Sequence, residues 1–343
     1  MGIEINHSVT LSTTIVFDFL GRITRFLMVC GLIGLIGVSV GTLLAGVWWG
    51  FDLCTHFRVQ YVFVGAILCV GIGVWQKWWM SGICLLLTVF HASRLLPLYQ
   101  EQSRPLTERA NVTSSDFRPH EVTVVSMNLY SRNRNSAAVD EFLEQTKPDI
   151  VALIELSPLW GEHFSAQTDR FPYQRLASRE GNFGIGIMSR FPLAEVETIT
   201  GVNGLVGMKA VVDIDGQPLT FLAAHPFPPM GRAATQSRNE QLRSLVRPIN
   251  QHSGHRVLVG DLNTTSWSPC FEKLLEQTGL RDSRVGFGVQ PTWPTNRFVL
   301  SIPIDHVLIS PEIAVMDRVI GPNIGSDHFP VVVKLLLPTQ SED

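Results

Sequence analysis

The chain has 343 residues, 45% of them hydrophobic and 17% charged, with 28 glycines, 20 prolines and a formal net charge of −3. A disordered or collagen-like chain is excluded, and the length leaves room for more than one folding unit. Charge divides the chain near residue 104, because residues 1–104 carry six Lys/Arg against four Asp/Glu and residues 105–343 carry twenty-one against twenty-six. The acidic second part argues against a protein that tracks nucleic acid mainly by counterion release, but not against a nuclease whose divalent cation supplies the local positive charge. Cys30, Cys54, Cys69 and Cys84 lie in the apolar part and Cys270 stands alone in the polar part, so no disulfide can form within the latter.

Residues 1–25 read as an N-terminal tail, without the short apolar stretch and small-residue cleavage site of a signal peptide. Residues 26–99 read as a transmembrane module of three helices, at about 26–50, 59–76 and 78–98. The first two runs are free of charge from Phe26 to Phe51 and from Val59 to Gln76, and the third carries only Arg94 near its end, where a long cationic side chain can reach the headgroups. A single helix over 59–99 would be roughly 60 Å long, twice the hydrocarbon thickness of about 30 Å, so a hairpin is expected at Gln76 and Lys77. Trp48, Trp49, Trp75, Trp78 and Trp79 fall at the ends of the runs, where amphipathic rings sit at the membrane surface. Arg22 and Arg25 outweigh Arg58 and favour a cytoplasmic N-terminus, which with three spans places the polar part outside the cell membrane, while Arg94, Arg104 and Arg109 pull the other way and leave a cytoplasmic domain as the alternative. Gly37 and Gly41 in the glycine-rich first span permit close helix approach. Packing against the other spans of the same chain is the expected use, with a homo-oligomer as the alternative. The spans contain no Asp, Glu or Lys, which makes the module an anchor and not a transport path.

Residues 100–120 read as a polar linker, and residues 121–338 as the folded domain. Short β-branched runs predict strands at Val122–Met127, Ile150–Ile154, Ile185–Met188, Ala210–Ile214, Leu219–Ala224, Val257–Val259, Ile304–Ile309 and Val331–Leu337. Helical patterns cover Ala137–Gln145, Arg232–Arg247 and Pro269–Gln277, the last with Ser268 as N-cap. Several strands end in a polar residue that is costly in a core: Asn128, Glu155, His225, Asp261 with Asn263, and Asp305 with His306, while Asp327 and His328 follow Ile-Gly-Ser. Asp261 and Asn263 are two apart and address one side of an extended chain. Carboxylates, an amide and histidines collected at strand ends form a kit for metal-assisted phosphoester cleavage.

Ser-Met-Asn128, Ile-Glu155, Gly-Asp261-Leu-Asn263, Ile-Asp305-His306-Val and Ser326-Asp327-His328-Phe-Pro, in that order, resemble the endonuclease/exonuclease/phosphatase superfamily. Asn182-Phe-Gly-Ile-Gly-Ile-Met-Ser-Arg190, Arg238 and Pro291-Thr-Trp-Pro294 are similar as well. The resemblance implies an α/β fold, a four-layer α/β/β/α sandwich behind the membrane helices, with the site at one end of the paired sheets. It implies hydrolysis of a phosphate held by Mg²⁺ or Mn²⁺. Glu155, Asp327 and Asn128 are then expected at the cation. Asp261 activates the water, Asn263 holds water or phosphate, and His328, oriented by Asp305, donates to the phosphate. His225 is expected to bind phosphate or aid the leaving group, although its Pro-Phe-Pro-Pro continuation departs from the deoxyribonuclease pattern. His306 should face the opposite side of its strand, and Arg190 and Arg238 should brace loops. The implied substrate is a phosphoester of nucleic acid, a phospholipid headgroup or an inositol phosphate, cleaved at a lipid bilayer by a nuclease, phosphodiesterase or phosphatase. The contrasting reading is a non-catalytic, membrane-tethered binding module on the same fold.

Overall fold

The computed structural model describes residues 5–100, 119–201 and 204–338, so most of the expected linker lies outside the described residues. In the apolar part, helix α1 (Ile5–Leu43) runs through most of the expected tail. It is followed by α2 (Trp49–Cys54), α3 (Arg58–Val74) and α4 (Trp78–Ser93). Two stretches are long and apolar enough to cross a membrane, Val16–Leu43 and Trp49–Val74. The expected third span, α4, has 16 residues, a length of about 24 Å, and is too short to pass the same test.

The hairpin turns at Gln76 and Lys77 as expected, with Lys77 N donating to Ile72 O at 3.3 Å. Leu32, Leu35, Leu68, Ile72, Met80 and Cys84 pack α1, α3 and α4 together. Glycine permits that approach at Gly31 and Gly41, where a Cβ would lie 3.0 Å from a Leu68 methyl and 3.0 Å from Cys54 Sγ, whereas Gly37 has open space beside it. A buried polar chain also joins the three helices: Arg58 Nη1 lies 3.4 Å from His91 Nδ1, and His91 Nε2 lies 3.0 Å from Ser39 Oγ.

The polar part folds into two six-stranded mixed sheets. One holds β1 (His120–Asn128), β2 (Ile150–Ile154), β3 (Tyr173–Ala177), β4 (Ile185–Ser189), β11 (Ala314–Ile320) and β12 (Val331–Leu337), in the order β11-β12-β1-β2-β4-β3. The other holds β5 (Leu193–Gly201), β6 (Gly204–Ile214), β7 (Gln217–Ala224), β8 (His255–Asp261), β9 (Arg281–Asp282) and β10 (Asp305–Ile309), in the order β5-β6-β7-β8-β10-β9. Helices α5 (Ser136–Thr146) and α6 (Pro158–Ser165) cover the first sheet. The second is covered by α7 (Arg232–Ser244), α8 (Val246–Ile249) and α9 (Pro269–Thr278). The pattern read as one helix over 232–247 is thus two, broken at Leu245.

Strand alternation sorts the side chains into three apolar layers. Val122, Val124, Ala152, Ile187, Phe221, Val257, Val259 and Val307 meet between the sheets. Val125, Met127 and Val151 face Phe142, Trp160 and Phe164 of α5 and α6. Leu222, Leu258 and Leu308 face Leu242, Phe271 and Leu274 of α7 and α9. The result is the four-layer α/β/β/α sandwich.

Gly260 sits inside β8 one residue before Asp261 with φ 137°, and a Cβ there would fall 2.1 Å from Ala224 O on the parallel neighbour β7. Gly260→Ala is expected to cost at least about 1–3 kcal/mol from backbone strain alone, with the clash in addition. A thermal or denaturant unfolding curve of the full chain reads the loss, and an unchanged midpoint contradicts the strand geometry.

Candidate active site

The same alternation that builds the core builds the site. Positions 124 and 126 of β1, 257 and 259 of β8, and 307 and 309 of β10 lie on the rows directed between the sheets, and Asn128, Asp261 and Asp305 continue those rows at one end. Asp305 stands directly opposite Asp261 in the antiparallel pairing of β10 with β8. Glu155 follows β2 with φ 58°, a left-handed conformation unusual for a non-glycine residue. Such strain persists where the surroundings enforce it. Here Leu156 N is tied to Gly184 O at 2.9 Å, and Glu155 Oε2 accepts from Ser131 N at 3.1 Å.

The groups converge. Asn128 donates from Nδ2 to Glu155 Oε1 and to Asp261 Oδ2, each at 3.2 Å, and so bridges the two sheets, while its Oδ1 accepts from Tyr130 N at 3.0 Å. His328 Nδ1 donates to Asp305 Oδ2 at 2.9 Å, and its Nε2 lies 3.6 Å from Asp261 Oδ2. His225 Nε2 approaches the same Asp261 oxygen at 3.6 Å, while its Nδ1 donates to Asn182 O at 3.0 Å. Asn263 N donates to Asp261 Oδ1 at 2.9 Å, and its side-chain amide donates to Pro226 O at 2.9 Å. Trp293 Nε1 donates to Asp327 Oδ2 at 3.2 Å. The Pro-Phe-Pro-Pro segment after His225 therefore serves as an acceptor for the Asn263 amide.

Burial sets the charge states. Glu155, Asp261, Asp305, His225 and His328 are all buried. Burial opposes charge on His328, but the carboxylates of Asp305 and Asp261 outweigh it and hold its pKa up at about 10, so it stays an imidazolium. Burial likewise works against Asp305, yet the His328 cation keeps its carboxyl below the usual range. Asp261 is pushed up to about 8 by burial against the pull of His328. His225 is pushed down to about 4 by burial and the His328 charge, and is a neutral imidazole. Burial also raises Glu155, and the Asp327 carboxylate adds to the rise, which places these two charges within electrostatic reach of each other.

This arrangement fits a divalent cation on the Glu155 and Asp327 flank. Asp327 Oδ1 is buried without a hydrogen-bond partner, a costly state for a carboxylate oxygen unless a cation faces it. Asp261, Asp305 and His328 also bring ligand atoms within 4.8 Å of one another. This group is the less suitable holder, because a protonated His328 already donates to Asp305. Asn128, expected beside the cation, presents its two amide hydrogens to carboxylates and turns its oxygen back to its own chain.

His306 faces the opposite side of β10, as alternation predicts: its ring packs tilted against Phe271 with centroids 4.5 Å apart, and Nε2 donates to Thr264 O at 2.8 Å. Arg190 is exposed and pairs with Asp149 at 3.2 Å, away from the site. Arg238 is fully buried and donates to Asn263 O at 3.0 Å, bracing the loop that follows β8.

Paired sheets that end in a carboxylate and imidazolium cluster define a hydrolase of phosphoric esters. The chain belongs to the Endonuclease/Exonuclease/phosphatase family, whose sequence profile matches residues 125–328. A UPF0294 protein of Vibrio vulnificus is 30% identical over 127 residues, which are 36% of this chain and 42% of that protein. The match therefore spans less than half the length of that curated relative. Among solved structures, humanized D. rerio TDP2 is similar with a TM-score of 0.52 and 19% identity, over 63% of this chain and 98% of that one. A 3′ phosphatase, NExo from Neisseria, bound to product DNA hairpin, has a TM-score of 0.52 and 20% identity, over 62% and 98%. At these identities the likeness shows the fold.

Part of the site's support comes from outside the matched region, and the sequence did not announce it. Asp52 of α2 is buried, accepts from Arg238 Nη2 at 2.5 Å and from Ser268 Oγ at 2.5 Å. Ser268 begins α9 as expected, but spends its hydroxyl on Asp52 and not on a cap. His56 Nδ1 lies 2.9 Å from Thr265 Oγ1, and Trp267 Nε1 donates to Arg94 O at 3.0 Å. Loop 263–268 is thus clamped from the apolar part. Its one signal in the sequence was an acidic residue directly after a charge-free run, a poor location for a carboxylate without a partner. Asp52→Ala leaves Arg238 buried without its carboxylate and is expected to cost about 3–5 kcal/mol. Denaturant unfolding of the full chain in detergent micelles measures it, and wild-type stability contradicts the clamp.

Proposed function

We propose that this chain is a membrane-anchored, Mg²⁺-dependent phosphoester hydrolase, with a catalytic domain at 121–338. The observation that carries the reading is the buried Asp327 oxygen left without a hydrogen-bond partner, one residue before His328 of the Asp261, Asp305 and His328 cluster and within electrostatic reach of Glu155. Glu155 and Asp327 would hold the cation, and hard carboxylate oxygens suit Mg²⁺ or Mn²⁺. When bound, the cation neutralises charge on the phosphate oxygens.

In its carboxylate form Asp261 accepts a proton from the attacking water. Asn263 and the neutral His225 orient that water or a phosphate oxygen by hydrogen bonds. His328, held by Asp305, turns its Nε2–H toward the phosphate and stabilises the charge that builds in the transition state. The water oxygen bonds to phosphorus as the bond to the leaving oxygen breaks in line with it.

The anchor reading rests on α1, α3 and α4 acting together. The α3–α4 hairpin leaves the domain at Arg58 and returns to it at Arg94, whose guanidinium lies 3.5 Å from Glu272. The far turn carries Lys77, Trp75 and Trp78, with Arg25 over the Trp75 ring at 5.6 Å, a belt suited to the distant membrane surface. A short α4 can cross with local thinning of the bilayer. Arg22 and Arg25 then lie on the cytoplasmic side and the catalytic domain outside. At the near surface, a cavity of about 650 Å³ between Trp48, Arg232, Arg243 and Lys273 lies where headgroups would be.

The test is hydrolysis of a chromogenic phosphodiester and phosphomonoester by the full chain in detergent. Chelation is expected to abolish the rate and added Mg²⁺ to restore it, and Asp261→Ala is expected to lose about 10²–10⁴-fold. A rate indifferent to chelation, or one that survives in Asp261→Ala, overturns the proposal.

A further inference from the structure

The segment from Trp293 to Ile302 is a loop with two different ends. Its base closes with a bridge between Trp293 and Ile302 and is tied into the site. Trp293 Nε1 donates to Asp327, and the Thr292 hydroxyl accepts from Ile304 N at 3.2 Å and Asp305 N at 3.3 Å. Its tip is apolar and bare: Phe298 is 84% exposed, Val299 78% and Leu300 47%. Three consecutive exposed apolar residues are a liability on a water-facing surface and call for a function. Among the described residues of the catalytic domain no other run of three large apolar side chains is exposed.

The position of the tip says what covers it. Gln60 donates from Nε2 to Val299 O at 3.0 Å and to Ser301 O at 3.1 Å. In α3, positions 60, 63, 67, 70 and 74 follow the helical repeat and share one face. Phe63, Ile67, Val70 and Val74 on that face are all exposed, a continuous apolar stripe with no protein over it. Gln60 is the polar residue that tops the stripe, and Phe63 lies about 5 Å below it along the axis. The tip of the loop therefore rests at the edge of the surface that α3 offers to hydrocarbon.

We propose that residues 297–300 insert into the bilayer interface and that the occupant of this apolar tip is the lipid surface itself. This rests on the membrane-anchored reading given above. Phe298, Val299 and Leu300 enter the acyl boundary, and Arg297 stays at the phosphate level. Because the same loop carries Trp293 against Asp327, and its base binds the backbone at Asp305, the site is held a single loop's length from the headgroups. Its phosphoester is then one carried on a membrane amphiphile or presented at that surface. A soluble substrate would gain nothing from a bare Phe298.

Photo-crosslinking tests this in the full chain. p-Benzoylphenylalanine is placed at Phe298, at Phe63 on the α3 stripe, or at Met316, which is 53% exposed on β11. Each protein is reconstituted in nanodiscs of phosphatidylcholine with tritiated acyl chains and irradiated. Incorporation at 298 is expected to be comparable to that at 63 and at least about tenfold above that at 316, as for an interfacial side chain. Label at 63 with none at 298 overturns the insertion and leaves the anchor standing. No label at either overturns both, and a crosslink from 298 to a second copy of the chain, without lipid, also overturns the insertion. Phe298→Asp with Val299→Asp gives a second measurement, because it should lower extraction resistance and lipid protection of residue 63 by less than about twofold while abolishing protection of a probe at Leu300. Retained protection at Leu300 counts against the proposal.

Discussion

Asp261 and Asp305 stand opposite each other on neighbouring antiparallel strands, both out of water. Two carboxylates so placed repel, and neither is stable as a lone buried ion. The surrounding structure reads as the answer to that constraint. His328 supplies one positive charge between them, Asn128 supplies amide hydrogens from the other sheet, and backbone N–H groups of Asn263 and Ser131 serve Asp261 and Glu155. Among the described residues, the buried carboxylate oxygen left without a partner is Asp327 Oδ1. An environment that leaves one carboxylate oxygen bare while satisfying its neighbours suits a cation.

The second organising fact is that the apolar helices are joined to the catalytic domain by specific contacts. Asp52, His56 and the Arg94 carbonyl hold loop 263–268, and Leu98 O accepts from Gly286 N and Gly288 N, both at 2.9 Å. Buried ion pairs such as Asp52 with Arg238 add little net stability over apolar packing, but they fix one arrangement against alternatives. Here the arrangement fixed is the orientation of the catalytic loop relative to the helices. Contacts thus link the apolar helices, loop 293–302, loop 263–268 and the carboxylate cluster.

How much of this was legible in the sequence follows from where each residue lies. Interior strands announced themselves by unbroken apolar runs, such as Ile150–Ile154 and Val331–Leu337, because both faces are buried. The strands that gave no signal are β3, β5, β9 and β11, and these are the four sheet edges. An edge is half solvated, so its residues alternate with polar ones, as in Leu193–Gly201, and resemble loops. The site was legible because buried polar residues at strand ends are costly and therefore informative. Their partners were less so. The fate of the Asn128 amide depends on the left-handed turn at Glu155, and the clamp at Asp52 joins residues 186 positions apart from Arg238, beyond any local pattern. The apolar helices were visible from length and hydropathy, but their ends were not. α1 ends at Leu43, several residues before the expected end of the first run, and α2 then carries Asp52 to the domain.

The claim on which all of this depends is that Glu155 and Asp327 share one divalent cation beside the His328 and Asp305 pair. Titration of the full chain in detergent with Mn²⁺, followed by the loss of the free-ion electron paramagnetic resonance signal, tests it without reference to any substrate. The account predicts a saturable site in the wild type that is weakened at least about 10–100-fold in Glu155→Ala and kept in Asp52→Asn. Undiminished binding in Glu155→Ala and in Asp327→Ala would contradict it.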